Sequence, residues 1–309
     1  MRRGLKRFGP FVVLIAAVLV TGCGGGGGER DPGTTHATGR PAYLGPHGGG
    51  HGWVPSRAKR RSVVWAVGDA ADGSVVSEGV AGMVRNRRVD GLLYLGDVYA
   101  TGTAGEFEAK YRPLYGLLGR ISAPTIGNHE WPNVATGYVP YWTAVRGTPP
   151  PLWYAFAASG WQLISLNSNL PGSSDQRRWL ERLIKRTPRY GTCRIAFMHH
   201  PIFSTGLHGG LEALQPIFGE LRGHASVVLA GHDHDMQRFR PVAGITQLVD
   251  GAGGAELYPV DRSDSRLAFA DDRHHGALRL VLRPGRLALT FVAADGSALD
   301  RSSVRCGQG

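Results

Sequence analysis

Residues 226–234 read Ser226-Val227-Val228-Leu229-Ala230-Gly231-His232-Asp233-His234, a short apolar run that stops abruptly in two imidazoles and a carboxylate. The run is too short for a helix and carries adjacent β-branched residues, so it predicts a buried strand with the polar cluster at its carboxyl end. The same construction recurs upstream. Residues 62–67 run into Gly68-Asp69, residues 91–95 into Gly96-Asp97, residues 124–126 into Gly127-Asn128-His129-Glu130, and residues 193–198 into His199-His200-Pro201. Helical patterns lie between these runs. The clearest is residues 175–186, where Trp179, Leu180, Leu183 and Ile184 recur at helical spacing behind a cap at Ser174 or Asp175. Buried strands alternating with helices imply an α/β sandwich. In such sheets ligands bind beyond the carboxyl ends of the strands, where each of these clusters falls.

A single Gly-Asp after a strand is ordinarily a turn whose Asp bonds its own backbone. The set changes that reading. Asp69 and Asp97, the amide of Asn128 and the imidazoles of His199, His232 and His234 are oxygen and nitrogen donors suited to Fe, Mn or Zn. Together they exceed one tetrahedral site, so two cations are implied, and no thiol among them suggests a structural zinc cluster. The chain offers no Walker-type loop and no Gly-x-Ser-x-Gly elbow, which excludes the chemistries of P-loop NTPases and serine hydrolases.

The chain has 309 residues, 42% apolar and 19% charged, which suffices for one large or two small domains. Wholesale disorder, a collagen fold and a multi-span membrane architecture are excluded. The net charge of +11 divides unevenly along the chain: residues 1–22 carry +4, residues 24–61 another +4, and everything from Ser62 onward +3. This basicity reads as a targeting and tether feature, and no nucleic-acid partner is expected. An apolar run from Phe11 to Val20 follows the basic start and is too short to span a bilayer, which needs about 20 residues. Val20-Thr21-Gly22-Cys23 resembles a bacterial lipobox. The expected organisation is a lipoprotein signal peptide at 1–22, a flexible Gly/Pro-rich tether at 23–61 opening on the glycines Gly24 to Gly28, and one catalytic domain at 62–309. The protein is then secreted across the cytoplasmic membrane and anchored to it through lipidated Cys23, facing outside the cytoplasm. An ordinary signal peptide with an incidental cysteine is the alternative. Export would place Cys193 and Cys306 where disulfides persist; whether they pair is open.

The ordered series Gly68-Asp69, Gly96-Asp97, Gly127-Asn128-His129-Glu130, His199-His200-Pro201 and Gly231-His232-Asp233-His234 resembles the calcineurin-like metallophosphoesterases, closest to their purple acid phosphatase-like branch. The resemblance runs from Val63 nearly to the C-terminus. It implies a four-layer α/β/β/α sandwich, the metallophosphoesterase fold, with a dinuclear metal site at the carboxyl ends of the strands. It further implies that Asp69, Asp97 and His234 hold a first metal, and that Asp97 bridges to a second completed by Asn128, His199 and His232. A shared carboxylate suits two cations about 3.5–4 Å apart, which repel. His129 is then the histidine that binds no metal and stabilises the transferring phosphoryl group or protonates the leaving oxygen. Glu130 orients its loop. His200 points away if its strand stays regular. His208 stands where related enzymes place a substrate-facing histidine; it is either that or a solvated loop residue.

Two departures stand out. Purple acid phosphatases carry a metal-binding tyrosine three residues after the bridging aspartate, where this chain has Ala100, its tyrosine being Tyr99. Tyr99 either reaches the metal or packs beside it; coordination is the expectation, because Gly102 gives the loop freedom to compensate. Ala71 replaces the glycine that branch prefers. Trp53 and Trp131 either flank a pocket or pack. The resemblance implies an extracytoplasmic hydrolase of small phosphate monoesters, with two Fe, Zn or Mn ions and attack by a metal-activated hydroxide. Phosphodiester or nucleotide hydrolysis, and a non-catalytic binding lipoprotein of the same fold, stay open because substrate choice lies in loops.

Overall fold

The run Ser62–Val67 is a strand with those bounds in the computed structural model of the chain, which describes residues 50–307. Among the described residues, strands numbered in chain order form two sheets. The six-stranded sheet runs β14 (Ala298–Arg305), β13 (Arg286–Ala293), β12 (Gly276–Arg283), β2 (Ser62–Val67), β3 (Gly91–Tyr94), β4 (Ser122–Pro124). The eight-stranded sheet runs β1 (Gly50–His51), β5 (Tyr154–Ala158), β6 (Trp161–Ser165), β7 (Arg194–Phe197), β8 (Val227–Ala230), β10 (Thr246–Asp250), β9 (Met236–Phe239), β11 (Leu267–Asp271). Strands β2, β3 and β4 are parallel, as are β6, β7, β8 and β10, so their carboxyl ends gather on one side of each sheet.

The parallel strands read as near-continuous apolar runs because both of their faces are covered. Inner faces meet in a core that includes Leu93, Phe197, Leu229, Leu278 and Phe291. Helices are α1 (Val75–Arg85), α2 (Ala104–Glu106), α3 (Arg112–Tyr115), α4 (Val139–Arg146), α5 (Ser174–Arg186) and α6 (Gln215–Leu221). Val80 and Val84 of α1 and Trp142 of α4 join Trp65 and Val67 in one outer cluster. Leu180 and Leu183 of α5 and Ile217 and Leu221 of α6 join Ile164, Ala196 and Val228 in the other. The architecture is the expected α/β/β/α sandwich.

Local details differ from the sequence reading. Strand β4 ends at Pro124, where the third run was expected to begin; Thr125 still donates its N–H to the Tyr94 carbonyl of β3 at 2.8 Å. The cap of α5 is Ser173, one residue earlier than expected, whose hydroxyl accepts from Gln176 N–H at 3.2 Å. The tether ends sooner than residue 61. Val54 is 2% exposed, Arg57 N–H donates to the Ala157 carbonyl at 2.7 Å, and Lys59 meets Asp90 at 2.9 Å. Residues 50–61 therefore belong to the domain, and composition hides this because Gly, Pro and Arg show no periodicity even where their backbone lies along a sheet edge. Trp53 packs edge-on against Tyr154 at 5.1 Å and Trp131 is buried, so both are packing residues. Cys193 and Cys306 form a disulfide. The signal and lipobox around Cys23, and the tether as far as residue 49, lie outside the described residues.

Candidate metal centre

Asp69, Asp97 and His232 stand two or three residues past the ends of β2, β3 and β8, each behind a glycine, and adopt left-handed backbone, with φ of 56°, 69° and 72°. Such conformations cost a non-glycine residue on the order of 1–3 kcal/mol and concentrate at functional sites. The glycines before them permit close approach. A Cβ on Gly96 would lie 2.6 Å from His199 Nδ1, and one on Gly127 would lie 1.9 Å from Asp97 Oδ1. The Gly-Asp and Gly-Asn pairs of the sequence are therefore packing requirements of the site as well as turns.

Donor atoms converge in two groups. In one, His199 Nδ1 sits 2.9 Å from the Leu95 carbonyl, which can only accept, so Nδ1 carries a hydrogen and Nε2 is the nitrogen left to face the other donors. That Nε2 faces Asn128 Oδ1 at 2.8 Å, His232 Nδ1 at 3.2 Å and Asp97 Oδ2 at 3.4 Å. In the other, the Tyr99 hydroxyl lies 3.0 Å from Asp69 Oδ1 and 2.8 Å from His234 Nε2. His234 Nδ1 donates to the Glu256 carbonyl at 2.8 Å, which turns its Nε2 inward. Donors of Asp69, Asp97 and His199 lie within 4.8 Å of one another, joining the groups through Asp97.

This chemistry fits cations. Asn128 turns its acceptor Oδ1 toward His199 Nε2 although its buried Nδ2 is then left without a partner, and oxygen is the atom an amide presents to a cation. Burial opposes ionisation of Asp97, yet His199 and His129 beside it hold its carboxyl well below the usual range. Burial lowers His199 too, but the Asp97 charge outweighs it and lifts the imidazole to about 10: the cavity stabilises positive charge. Burial, reinforced by the rings of His200 and His199, keeps His232 neutral, the form that ligates. Burial and then the Asp97 charge push Glu130 up, so it sits protonated behind the site, its Oε2 accepting from Asp97 N–H at 3.0 Å.

The residues expected to do chemistry lie alongside. His129 Nε2 is 3.7 Å from Asp97 Oδ2, outside both donor groups, and its Nδ1 donates to the Ala100 carbonyl. Its ring stacks obliquely on Tyr99, with centroids 4.4 Å apart. His208 stands 4.7 Å ring to ring from His232, and its N–H donates to Asp233 Oδ1 at 2.8 Å. Sequence reasoning underrated others. Strand β7 ends at Phe197, so its alternation does not turn His200 away; the His200 ring lies 4.4 Å from that of His232 and its donor falls within 4.8 Å of those of His199 and His232. Tyr258 stacks on His234 at 4.4 Å, which nothing local in the sequence announces. Glu106 was legible as part of Thr103-x-x-Glu106, the signature of a capping box. Its carboxylate accepts from the N–H groups of Ala100, Thr101 and Thr103 and so fixes the loop that presents Tyr99. A separate cavity of about 730 Å³, near Ile184, Thr192 and His224, holds none of the converging donors. His274 belongs to a polar turn, 3.0 Å from Asp271.

Residues 56–236 match the calcineurin-like phosphoesterase family. Among curated proteins, purple acid phosphatase 21 of Arabidopsis thaliana is 28% identical over 185 residues, covering 52% of this chain and 41% of that protein. The chain thus spans about two fifths of the length of the curated relative it matches. Among solved structures, a purple acid phosphatase from yellow lupin (Lupinus luteus) seeds is similar with a TM-score of 0.68 at 15% identity, over 82% of this chain and 55% of that one. The anchor in the inner membrane complex of Plasmodium is similar with a TM-score of 0.66 at 16% identity, over 81% and 90%. At these identities the structural likeness is one of fold.

Proposed function

Because the chain belongs to the calcineurin-like phosphoesterase family, we propose that it is a metal-dependent phosphoesterase acting outside the cytoplasm on small phosphate monoesters. The observation that carries this reading is the convergence of Asp69, Asp97, Asn128, His199, His232 and His234, joined at Asp97, with His129 beside them but outside both donor groups. When bound, two Fe, Zn or Mn ions supply an activated water near neutral pH and absorb charge on the phosphoryl oxygens. The rest falls to the chain. Asp97 supplies the shared negative charge. The carbonyls of Leu95 and Glu256 hold the inner imidazoles in the ligating tautomer. His129, anchored through Nδ1, keeps Nε2 for a phosphoryl or leaving oxygen. His208 and Tyr258 border the donors and shape what reaches them.

Export and anchoring through a lipidated Cys23 are supported by the basic start, the apolar run and the lipobox, and by the disulfide between Cys193 and Cys306, since disulfides persist in oxidising compartments. The test is turnover of an aryl phosphate and an aryl phosphodiester by protein stripped with chelator and reloaded with Mn, Zn or Fe. Two ions per chain by elemental analysis, activity lost on stripping and a monoester preference are expected. Faster diester cleavage would change the substrate class, and metal uptake without turnover of either ester would replace the enzyme with a binding protein.

A further inference from the structure

Helices cover the six-stranded sheet over β2 and β3, and their outer cluster takes in Ala277 and, in part, Val281 on β12 and Val292 on β13. Beyond it the sheet's outer face carries Arg279 and Arg283 on β12, Arg286 on β13, and Arg301 and Arg305 on β14. Their strand neighbours Leu278, Leu282, Leu287 and Leu289 are buried between the sheets, so alternation turns the arginines outward. Register then aligns them. Arg283 pairs with Arg286 and Arg286 with Arg305, while Arg279 pairs with Thr290 and Thr290 with Arg301.

Like charges directly opposite on neighbouring strands repel, and among the described residues no carboxylate forms an ion pair with them. The only acidic residue on these three strands is Asp300, which pairs in register with inward Phe291 and bonds Arg238 of the other sheet at 2.7 Å. Arg61 and Arg87 lie close enough to Arg279 to add to the crowding. Such a face inside a region whose net charge is only +3 is a concentration that composition conceals.

We propose that this arginine lattice docks the protein on an anionic phospholipid surface. The inference rests on the reading that the protein works beside a membrane. Guanidinium groups bind phosphate oxygens in bidentate fashion, and the residues between them, Ala288, Thr290 and Ser303, are small enough to let a planar headgroup layer approach. The face carries no aromatic ring on which the bases of a single strand could stack, and it is a sheet surface without the projecting helix that reads a duplex groove. The row Arg283, Arg286, Arg305 lies at the Ser62 end of β2, since Leu282 pairs with Ser62, and Asp69 follows the opposite end. Docking by this row therefore leaves the metal centre clear of the lipid.

The experiment uses the full chain carrying Cys23→Ser, which cannot be acylated, sedimented with phosphatidylglycerol-containing or pure phosphatidylcholine vesicles. Salt-sensitive preference for the anionic vesicles is expected. Combining Arg283→Ser, Arg286→Ser and Arg305→Ser should lower that partitioning by about 100-fold, on the scale of a several-fold gain for each basic residue near an anionic surface. Aryl phosphate turnover should not change, and the melting temperature should not fall, since the substitutions remove like-charge pairs. Equal partitioning of the parent and the triple variant would overturn the proposal and assign binding to the N-terminal residues. Triple-variant loss of oligonucleotide binding with vesicle binding intact would overturn it in favour of nucleic acid. Failure of unmodified Cys23 to incorporate labelled palmitate would remove the anchor while leaving the vesicle result to stand alone.

Discussion

His129 and Tyr99 stack on each other at the edge of the donor cluster, yet their polar atoms are committed differently. His129 Nε2 stays 3.7 Å from the nearest Asp97 oxygen, whereas the Tyr99 hydroxyl lies within hydrogen-bond distance of both Asp69 and His234. His129→Ala should accordingly keep its metal content and lose roughly 100-fold or more in turnover, the scale of a positioned acid or charge stabiliser. Asp97→Asn should release both ions; elemental analysis beside kcat separates the two, and equal metal loss would make His129 a ligand. Burial, then the charges of Asp69 and Asp97, push the Tyr99 phenol well above its ordinary value. It can ionise only against a cation. Iron-loaded wild type should therefore show a visible phenolate charge-transfer band that Tyr99→Phe lacks. A pale wild type with a full ferric complement would leave Tyr99 as a hydrogen-bond donor only.

The loop between β3 and α2 is where one element compensates for another. Its tyrosine stands one residue earlier than in the purple acid phosphatases, and Glu106 at the start of the following helix gathers three of the loop's N–H groups. Partial burial opposes ionisation of Glu106, but the N–H groups of Thr103, Ala100 and Thr101 outweigh it and bring its pKa down to about 2. A carboxyl whose folded pKa is depressed stabilises the fold above its unfolded value of about 4.3, and that contribution is lost as pH falls toward the folded value. Metal-free wild type should thus lose melting temperature between about pH 4.5 and 2 more steeply than Glu106→Gln. Parallel melting curves would show that the loop is held by other means.

At the scale of the molecule the two sheets divide the work. Carboxyl ends of β2, β3, β4, β7 and β8 bring the donors together from positions up to 165 residues apart in sequence, as in the approach of His234 Nε2 to Asp69 Oδ1 at 3.5 Å. Bringing carboxylates together under burial is unfavourable without a cation, so metal binding and folding are coupled. Stripping both ions should lower the unfolding free energy by about 5 kcal/mol, about 2.7 for each site, when the loaded protein is compared at free metal near 100 times Kd. Denaturant titration with and without chelator measures this, and unchanged midpoints would mean that protons neutralise the cavity as well as metals do.

Local pattern was enough to locate the strands that carry the ligands, because a buried parallel strand writes itself as an apolar run and its end as the first polar residues. It was enough for the donor types of Asp69, Asp97, Asn128, His199, His232 and His234, since chemistry resides in the side chain. Register and loop path were not legible in it. That Tyr99 meets Asp69 and His234, that Tyr258 lies on His234, and that residues 50–61 run along the domain all depend on contacts between segments far apart in the chain. The same holds for charge: a count gives +3 from Ser62 onward, while strand pairing sets Arg283, Arg286 and Arg305 in one row. Sequence determines which groups a strand presents; only the pairing of strands decides which of them face each other.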